Sequence, residues 1–153
     1  MIVYRLSKSK FSNDLSGKGA EKSGGRWNSK GTALVYTGQS RALCTTEIAV
    51  HTPLGILPND YELIELEIDD SIEISEIDIR ILSKKWKVFP HAHETQVIGD
   101  KFVDENKYLV LKVPSVVVQG EFNYLINPNH PEISNVKIKT IEKFNFDERL
   151  FLK

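Results

Sequence analysis

Leu63-Ile64-Glu65-Leu66-Glu67-Ile68, the centre of Tyr61 to Ile68, decides the fold class. Apolar and acidic residues alternate there, the period of a strand that buries one face and turns its glutamates outward. A half-wet strand of this kind belongs to an antiparallel sheet. Tyr108-Leu109-Val110-Leu111-Lys112-Val113 is a second strand, stopped at Pro114-Ser115, and Thr32-Ala33-Leu34-Val35-Tyr36-Thr37 a buried third, ended by Gly38. Residues 2–6 read as a short strand. Val116 to Val118 reads as extended, Glu121 to Leu125 as a strand or sheet edge, and Val136 to Ile141 as alternating, with Phe144-Asn145-Phe146 carrying it on. Asp69, Asp70, Glu73, Glu76 and Asp78 alternate with isoleucines, as in a strand with a charged outer face. Strands outnumber helices without alternating with them regularly, which predicts a single α+β domain over 1–153 with a mainly antiparallel sheet.

Helices are fewer. Ser40 is placed to cap one from about Arg41 to Val50, its hydroxyl accepting from the first-turn amides. Leu43, Glu47 and Val50 then share a face, so Glu47 is either paired in the core or turned to a cavity. Thr95 to Asp104 reads as a short helix or turn. The polar stretch between the first strand and Gly25 reads as a long loop, a feature that tends to be functional or mobile.

With 153 residues, 41% hydrophobic and 27% charged, the chain has the composition of a soluble globular domain. Its net charge of -1 argues against direct nucleic-acid binding, which usually shows as a basic excess. The single cysteine, Cys44, excludes an internal disulfide and any multi-cysteine metal site, and its apolar neighbours make it a core residue. No signal pattern and no membrane-length apolar run occur, so a cytoplasmic protein is expected.

Chemistry-bearing residues concentrate in Gly24-Gly25-Arg26-Trp27-Asn28, with Tyr36 and Glu47 following. The glycines permit a tight turn and close approach to a ligand. Arg26 offers a planar fork of donors suited to phosphate, although a surface ion pair would satisfy it equally. Tyr36 is either a stacking platform or a core tyrosine with a satisfied hydroxyl. Glu47 either stabilises positive charge on a sugar carbon, as in oxocarbenium chemistry, or pairs with Arg5 or Arg41. Ser115 sits at a strand end, better suited to hydrogen bonding than to nucleophilic attack, since no Gly-x-Ser-x-Gly setting surrounds it. His91 and His93 have half the spacing of a metal site but lack a completing partner, and no metal is expected.

Taken in order, Tyr4-Arg5, Gly24 to Asn28, Val35-Tyr36-Thr37, Glu47, Val113-Pro114-Ser115, Glu121 to Pro128 and Phe146 to Leu150 resemble the RES-domain family. The resemblance runs from residue 4 to about 150. It implies a fold similar to that of ADP-ribosyltransferases and a toxin that depletes NAD at the nicotinamide–ribose bond, by hydrolysis or phosphorolysis. NAD is then a substrate and no resident cofactor is implied. The family's arginine, glutamate and serine carry over to Arg26, Glu47 and Ser115 as catalytic residues, and Tyr36 joins them in holding NAD. Asn127, in a family-like Asn-Pro-x-His turn, is a further NAD-binding candidate behind them. The implied partner is an Xre-type helix-turn-helix antitoxin of a type II pair, and a homodimer is left open. A protein ADP-ribosyltransferase and a nucleotide-binding module without turnover are the competing readings; a ribonuclease toxin fits the balanced charge poorly.

Overall fold

The computed structural model describes residues 1–153. Seven strands, β1 (Ile2–Lys8), β2 (Val35–Gly38), β3 (Tyr61–Ile68), β4 (Ile74–Glu76), β5 (Val110–Pro114), β6 (Phe122–Ile126) and β7 (Val136–Phe144), form one sheet in the order β4-β5-β6-β2-β1-β3-β7. Every pairing is antiparallel except β4–β5, which is parallel. Three helices accompany it: α1 (Lys18–Ser23), α2 (Arg41–His51) and α3 (His93–Glu105). The class is α+β, as the strand pattern predicts.

The alternation in β3 has its expected consequence. Leu63, Ile64, Leu66 and Ile68 are buried while Glu67 is exposed. Glu65 is not left to solvent alone: with Glu142 of β7 it holds the Arg41 guanidinium. β5 is apolar apart from Lys112, whose ammonium meets Glu76 of β4, because it is covered on both sides. Val110 joins Val3, Val35 and Ile126 in the core on one face, whereas Leu111 and Val113 pack with Trp27, Trp86 and Phe102 on the other.

Local expectations are corrected in several places. The acidic stretch forms a strand over Ile74–Glu76 alone, pairing β5 at the sheet edge. Residues 116–118 form a turn, not an extended run, and β7 ends at Phe144. The polar loop before Gly25 contains α1, a six-residue helix with no buried side chain and Gly17 as its N-cap, too short and too polar to announce itself by periodicity. Ser40 does cap α2, its Oγ accepting from the Leu43 amide at 3.0 Å. The inward face of α2 is rotated from the expected one, however. Leu43 and Cys44 are buried, while Val50 is 60% exposed.

One irregularity of the sheet shapes the site. β1 pairs β3 in continuous register from Ile2 to Lys8, but meets β2 in register at Tyr4↔Gly38 alone. The two strands splay apart from that point. A cavity of about 210 Å³ opens between them, walled by Tyr4 to Leu6 and Leu34 to Gly38 and closed by α1 and α2.

Candidate active site

The splayed strands lead into a second chamber of about 350 Å³. Ala20, Tyr36 and Glu47 line both, so the two chambers adjoin. Arg26, Tyr36 and Glu47, drawn from a loop, a strand and a helix, therefore face the same space. No helix of the protein is long and apolar enough to cross a membrane.

The loop carrying Arg26 is built as a tight hairpin. The Gly25 amide donates to the Asn28 carbonyl at 2.9 Å. A side chain at Gly25 would place its Cβ 2.7 Å from the Tyr36 hydroxyl, so this glycine is required by close approach. Asn28 is the hub. Fully buried, it donates through Nδ2 to the carbonyls of Ala20, Ser29 and Thr32. Tyr36 Oη donates to Asn28 Oδ1 at 2.7 Å and accepts from the Trp27 amide at 2.9 Å. Helix α3 clamps the loop from outside: Gln96 Nε2 donates to the Gly25 and Asn28 carbonyls, and Asp100 accepts from the Ser29 amide.

Arg26 itself donates through Nη1 to the carbonyls of Trp86 (2.7 Å) and Val88 (3.2 Å). Its Nε and Nη2 have no protein acceptor, leaving donors for an anion in the cleft. No carboxylate pairs with it. Burial lowers its pKa somewhat, yet an arginine stays charged in any protein setting.

Tyr36 has the satisfied hydroxyl of a core tyrosine, on a ring that lines the cleft. Burial pushes that hydroxyl far above its usual range, so it acts as a neutral donor and acceptor. Replacing Tyr36 by Phe strands the Trp27 amide and Asn28 Oδ1, and is expected to cost about 1–3 kcal/mol. Urea denaturation would show it; an unchanged midpoint would mean the hairpin does not depend on this bridge.

Glu47 pairs with neither Arg5 nor Arg41. Arg5 donates to the Asp14 carbonyl at 2.5 Å, and Arg41 is held by Glu65 and Glu142. The partner of Glu47 is Asn123 on β6, whose Nδ2 donates to Oε1 at 2.8 Å and also to the Thr37 carbonyl at 3.1 Å. Burial raises the Glu47 pKa, and the Asn123 hydrogen bond opposes that rise. A carboxylate with one neutral donor and no cation beside it is available to a positive charge arriving from outside.

Two expected residues lie elsewhere. Ser115 is 3% exposed, and its Oγ accepts from the amides of Val117 (3.1 Å) and Val118 (3.0 Å). It shapes the turn that sets Val117 in the cleft wall, and it faces a neighbouring cavity with Pro114 and Glu121. No hydrogen bond joins it to Glu47, whose partner is Asn123. Asn127 does not line the cleft either. It is fully buried at the end of β6, donating to Asn106 Oδ1 at 2.8 Å and accepting from the Asn129 amide at 3.0 Å. His91 lines the cleft, while His93 is the exposed first residue of α3. Cys44 is buried as expected, its thiol pushed up to about 12 by burial.

A family model for the RES domain matches residues 2–147. The chain belongs to the RES-domain family. Its full-length relatives are toxins. It is 36% identical over 144 residues to a "Prs ADP-ribosylating toxin" of Sphingobium, covering 92% of this chain and 89% of that protein. It is 35% identical to a "Toxin Res" of Pseudomonas putida, covering 99% of this chain and all of its relative. A third, a "Toxin Res" of Yersinia enterocolitica, is 33% identical over 98% of this chain and 99% of its own length. The fold is also that of the toxin in the solved MbcT-MbcA toxin–antitoxin complex of M. tuberculosis, with a TM-score of 0.75 at 17% identity over 94% of this chain and 84% of that one.

The residues that sequence reasoning missed are those holding the site together. Asn28 and Asn123 are polar positions buried among apolar ones, the available signal being an amide on the inward face of a strand or beside a glycine pair. Gln96 and Asp100, on a polar helix 70 residues along the chain, carry no such signal.

Proposed function

We propose that this RES-family protein is a toxin that consumes NAD by breaking its nicotinamide–ribose bond. The observation that carries the reading is the convergence of Arg26, Tyr36 and Glu47 on one two-chambered cleft, with Glu47 where the chambers meet.

In the reaction, the bond between ribose C1′ and the nicotinamide nitrogen breaks, and its electron pair leaves with the ring. The ring, cationic in NAD, departs neutral. Positive charge builds on C1′ and the ring oxygen of the ribose. Glu47 supplies negative charge next to that cation from a position already fixed by Asn123, and electrostatic help placed in advance needs no reorganisation during the step. Arg26 would hold a diphosphate oxygen through its unengaged Nε and Nη2, and Tyr36 would flank the nicotinamide with its ring. Ser115 acts at one remove, through the turn that positions Val117. Water, losing a proton, or phosphate then takes the ribosyl carbon. A protein side chain as acceptor is the second reading, favoured by the name of the Sphingobium relative. Release of the toxin from an antitoxin of the Xre type completes the proposal, supported by the relatives' class and by the setting of the solved complex.

The test is NAD consumption by purified protein, with products separated chromatographically, with and without phosphate. Nicotinamide plus ADP-ribose, or its phosphorylated form, is the expected result. NAD left intact by folded protein, with no label passed to protein in cell extract, would overturn the proposal.

A further inference from the structure

Asn123 links the sheet to the carboxylate of Glu47. On β6 it is in register with Val113 of β5 and Gly38 of β2, so on the β2 side no side chain blocks its reach to α2. It is 7% exposed and lines the chamber of Arg26, Tyr36 and Glu47. Both hydrogens of Nδ2 are engaged, one by the Thr37 carbonyl at 3.1 Å and the other by Glu47 Oε1 at 2.8 Å. That double tie fixes which way the amide faces. A backbone carbonyl can only accept, so the group turned to Thr37 is the NH2, and the same NH2 meets Glu47. Turned over, Asn123 would set an oxygen against two acceptors. Glu47 Oε1 thus faces a neutral donor, which binds a carboxylate more strongly than a carboxylic acid. Oε2 receives no hydrogen bond from the protein.

We infer that Asn123 is a positioning residue of this site: it holds Glu47 in its ionised form despite burial and leaves Oε2 as the oxygen that meets the ribosyl cation. The inference rests on the role proposed for Glu47. Burial favours the neutral acid, and the Asn123 hydrogen bond is the influence that opposes it. No ion pair with a neighbouring cation takes its place. Arg5 is turned to the Asp14 carbonyl, and Arg26 to those of Trp86 and Val88. Asp14 and Lys18 line the smaller chamber alone, His51 and His91 the larger alone. Tyr36 and Cys44 are neutral neighbours, burial holding both far above their usual ranges. Without Asn123, burial acts unopposed and Glu47 takes up its proton at a higher pH. The active, ionised form is then confined to more alkaline conditions.

The test reads the charge of Glu47 directly and turnover separately. The Glu47 carboxyl carbon is titrated by NMR in protein carrying isotope-labelled glutamate, with Glu47→Gln providing the assignment. The pH profile of kcat for NAD is measured alongside. In Asn123→Leu the Glu47 midpoint is expected to rise by about one pH unit, the effect of losing one hydrogen bond to a charged group. The acid limb of kcat should rise with it, turnover recovering at the alkaline end and KM for NAD changing little. Asn123→Asp keeps the shape of the side chain and sets a second carboxylate against the first, which should raise the limb further. A residue that merely braced the fold would lower kcat evenly at every pH. That result, or an unmoved Glu47 midpoint in both variants, overturns the inference. An imidazole can also give a limb near neutrality, so the wild-type limb is expected to survive His51→Gln and His91→Gln; its loss in either would take the limb from Glu47 and overturn the inference too. A Glu47 midpoint that moves in protein leaving NAD intact would sink the proposed reaction alone. NAD consumption with an unmoved midpoint would sink this inference alone.

Discussion

Replacing Glu47 by Gln is expected to lower NAD consumption by about 10²–10³-fold, the usual effect of removing one pre-positioned electrostatic partner of a charged transition state. The amide keeps the volume of the carboxylate, and its Oε1 can still accept from Asn123 Nδ2. It cannot offer a full negative charge to the ribosyl cation. The loss is therefore expected in kcat, with the KM for NAD little changed. Expression without an antitoxin provides a cellular readout, in which the variant is tolerated. Near-wild-type turnover by a folded Glu47→Gln protein would remove Glu47 from the chemistry.

The same substitution carries a stability signature of opposite sign. Burial raises the Glu47 pKa in the folded state, so between the unfolded value and the raised folded one the native protein binds more protons. Stability contributed by this group is full below the unfolded carboxylate range and is lost as pH rises through the folded pKa. Glu47→Gln is therefore expected to raise Tm at pH 7 and to leave it unchanged near pH 4. A Tm lowered at pH 7 would mean that the ionised carboxylate is stabilised by its surroundings, against the burial argument. Gain in stability with loss of activity is the pattern of a residue kept for function.

Gly99→Ala is expected to have the largest effect on the fold. Helix α3 lies directly on the Arg26 loop, and a Cβ at position 99 would sit 1.6 Å from the Trp27 carbonyl oxygen. The obstacle is backbone, so no rotamer change relieves it. Either α3 lifts or the hairpin shifts, and each breaks the Gln96 and Asp100 hydrogen bonds to the loop. A cost of about 3 kcal/mol is expected, which for a domain of this size lowers Tm by roughly 6–12 °C. NAD consumption should fall too, because Trp27 adjoins Arg26 and is itself buried against Trp86. A Gly99→Ala protein with wild-type Tm would show that α3 does not pack on this loop as described.

The reach of the sequence differs among these residues for physical reasons. Ser40 and the register of Tyr61–Ile68 were legible because a cap and a strand face depend on neighbours within a few positions. The Arg26, Tyr36 and Glu47 set was legible from residue type and motif order, and the fold brings these three to one cleft. Ser115 and Asn127 were named by the same route, and neither lines the chamber of Arg26, Tyr36 and Glu47. Both stand at strand ends, where a functional side chain and a turn-forming one look alike in sequence, and both accept hydrogen bonds from amides of the local turn, Asn127 donating also to Asn106. The rotation of α2 that exposes Val50 was equally hidden, since heptad-like spacing marks a face to within about one residue.

By itself, then, the sequence determined the α+β class, the start of α2, the half-buried character of β3 and the residue types available for chemistry. Each follows from periodicity, capping or side-chain chemistry, all of which act over short range. The tertiary structure alone decided that β1 and β2 part after Tyr4, that Asn123 rather than an arginine meets Glu47, and that His91 lines the same chamber as Arg26. Those are contacts between segments tens of residues apart, set by how the two faces of one sheet are covered, and no local pattern encodes them.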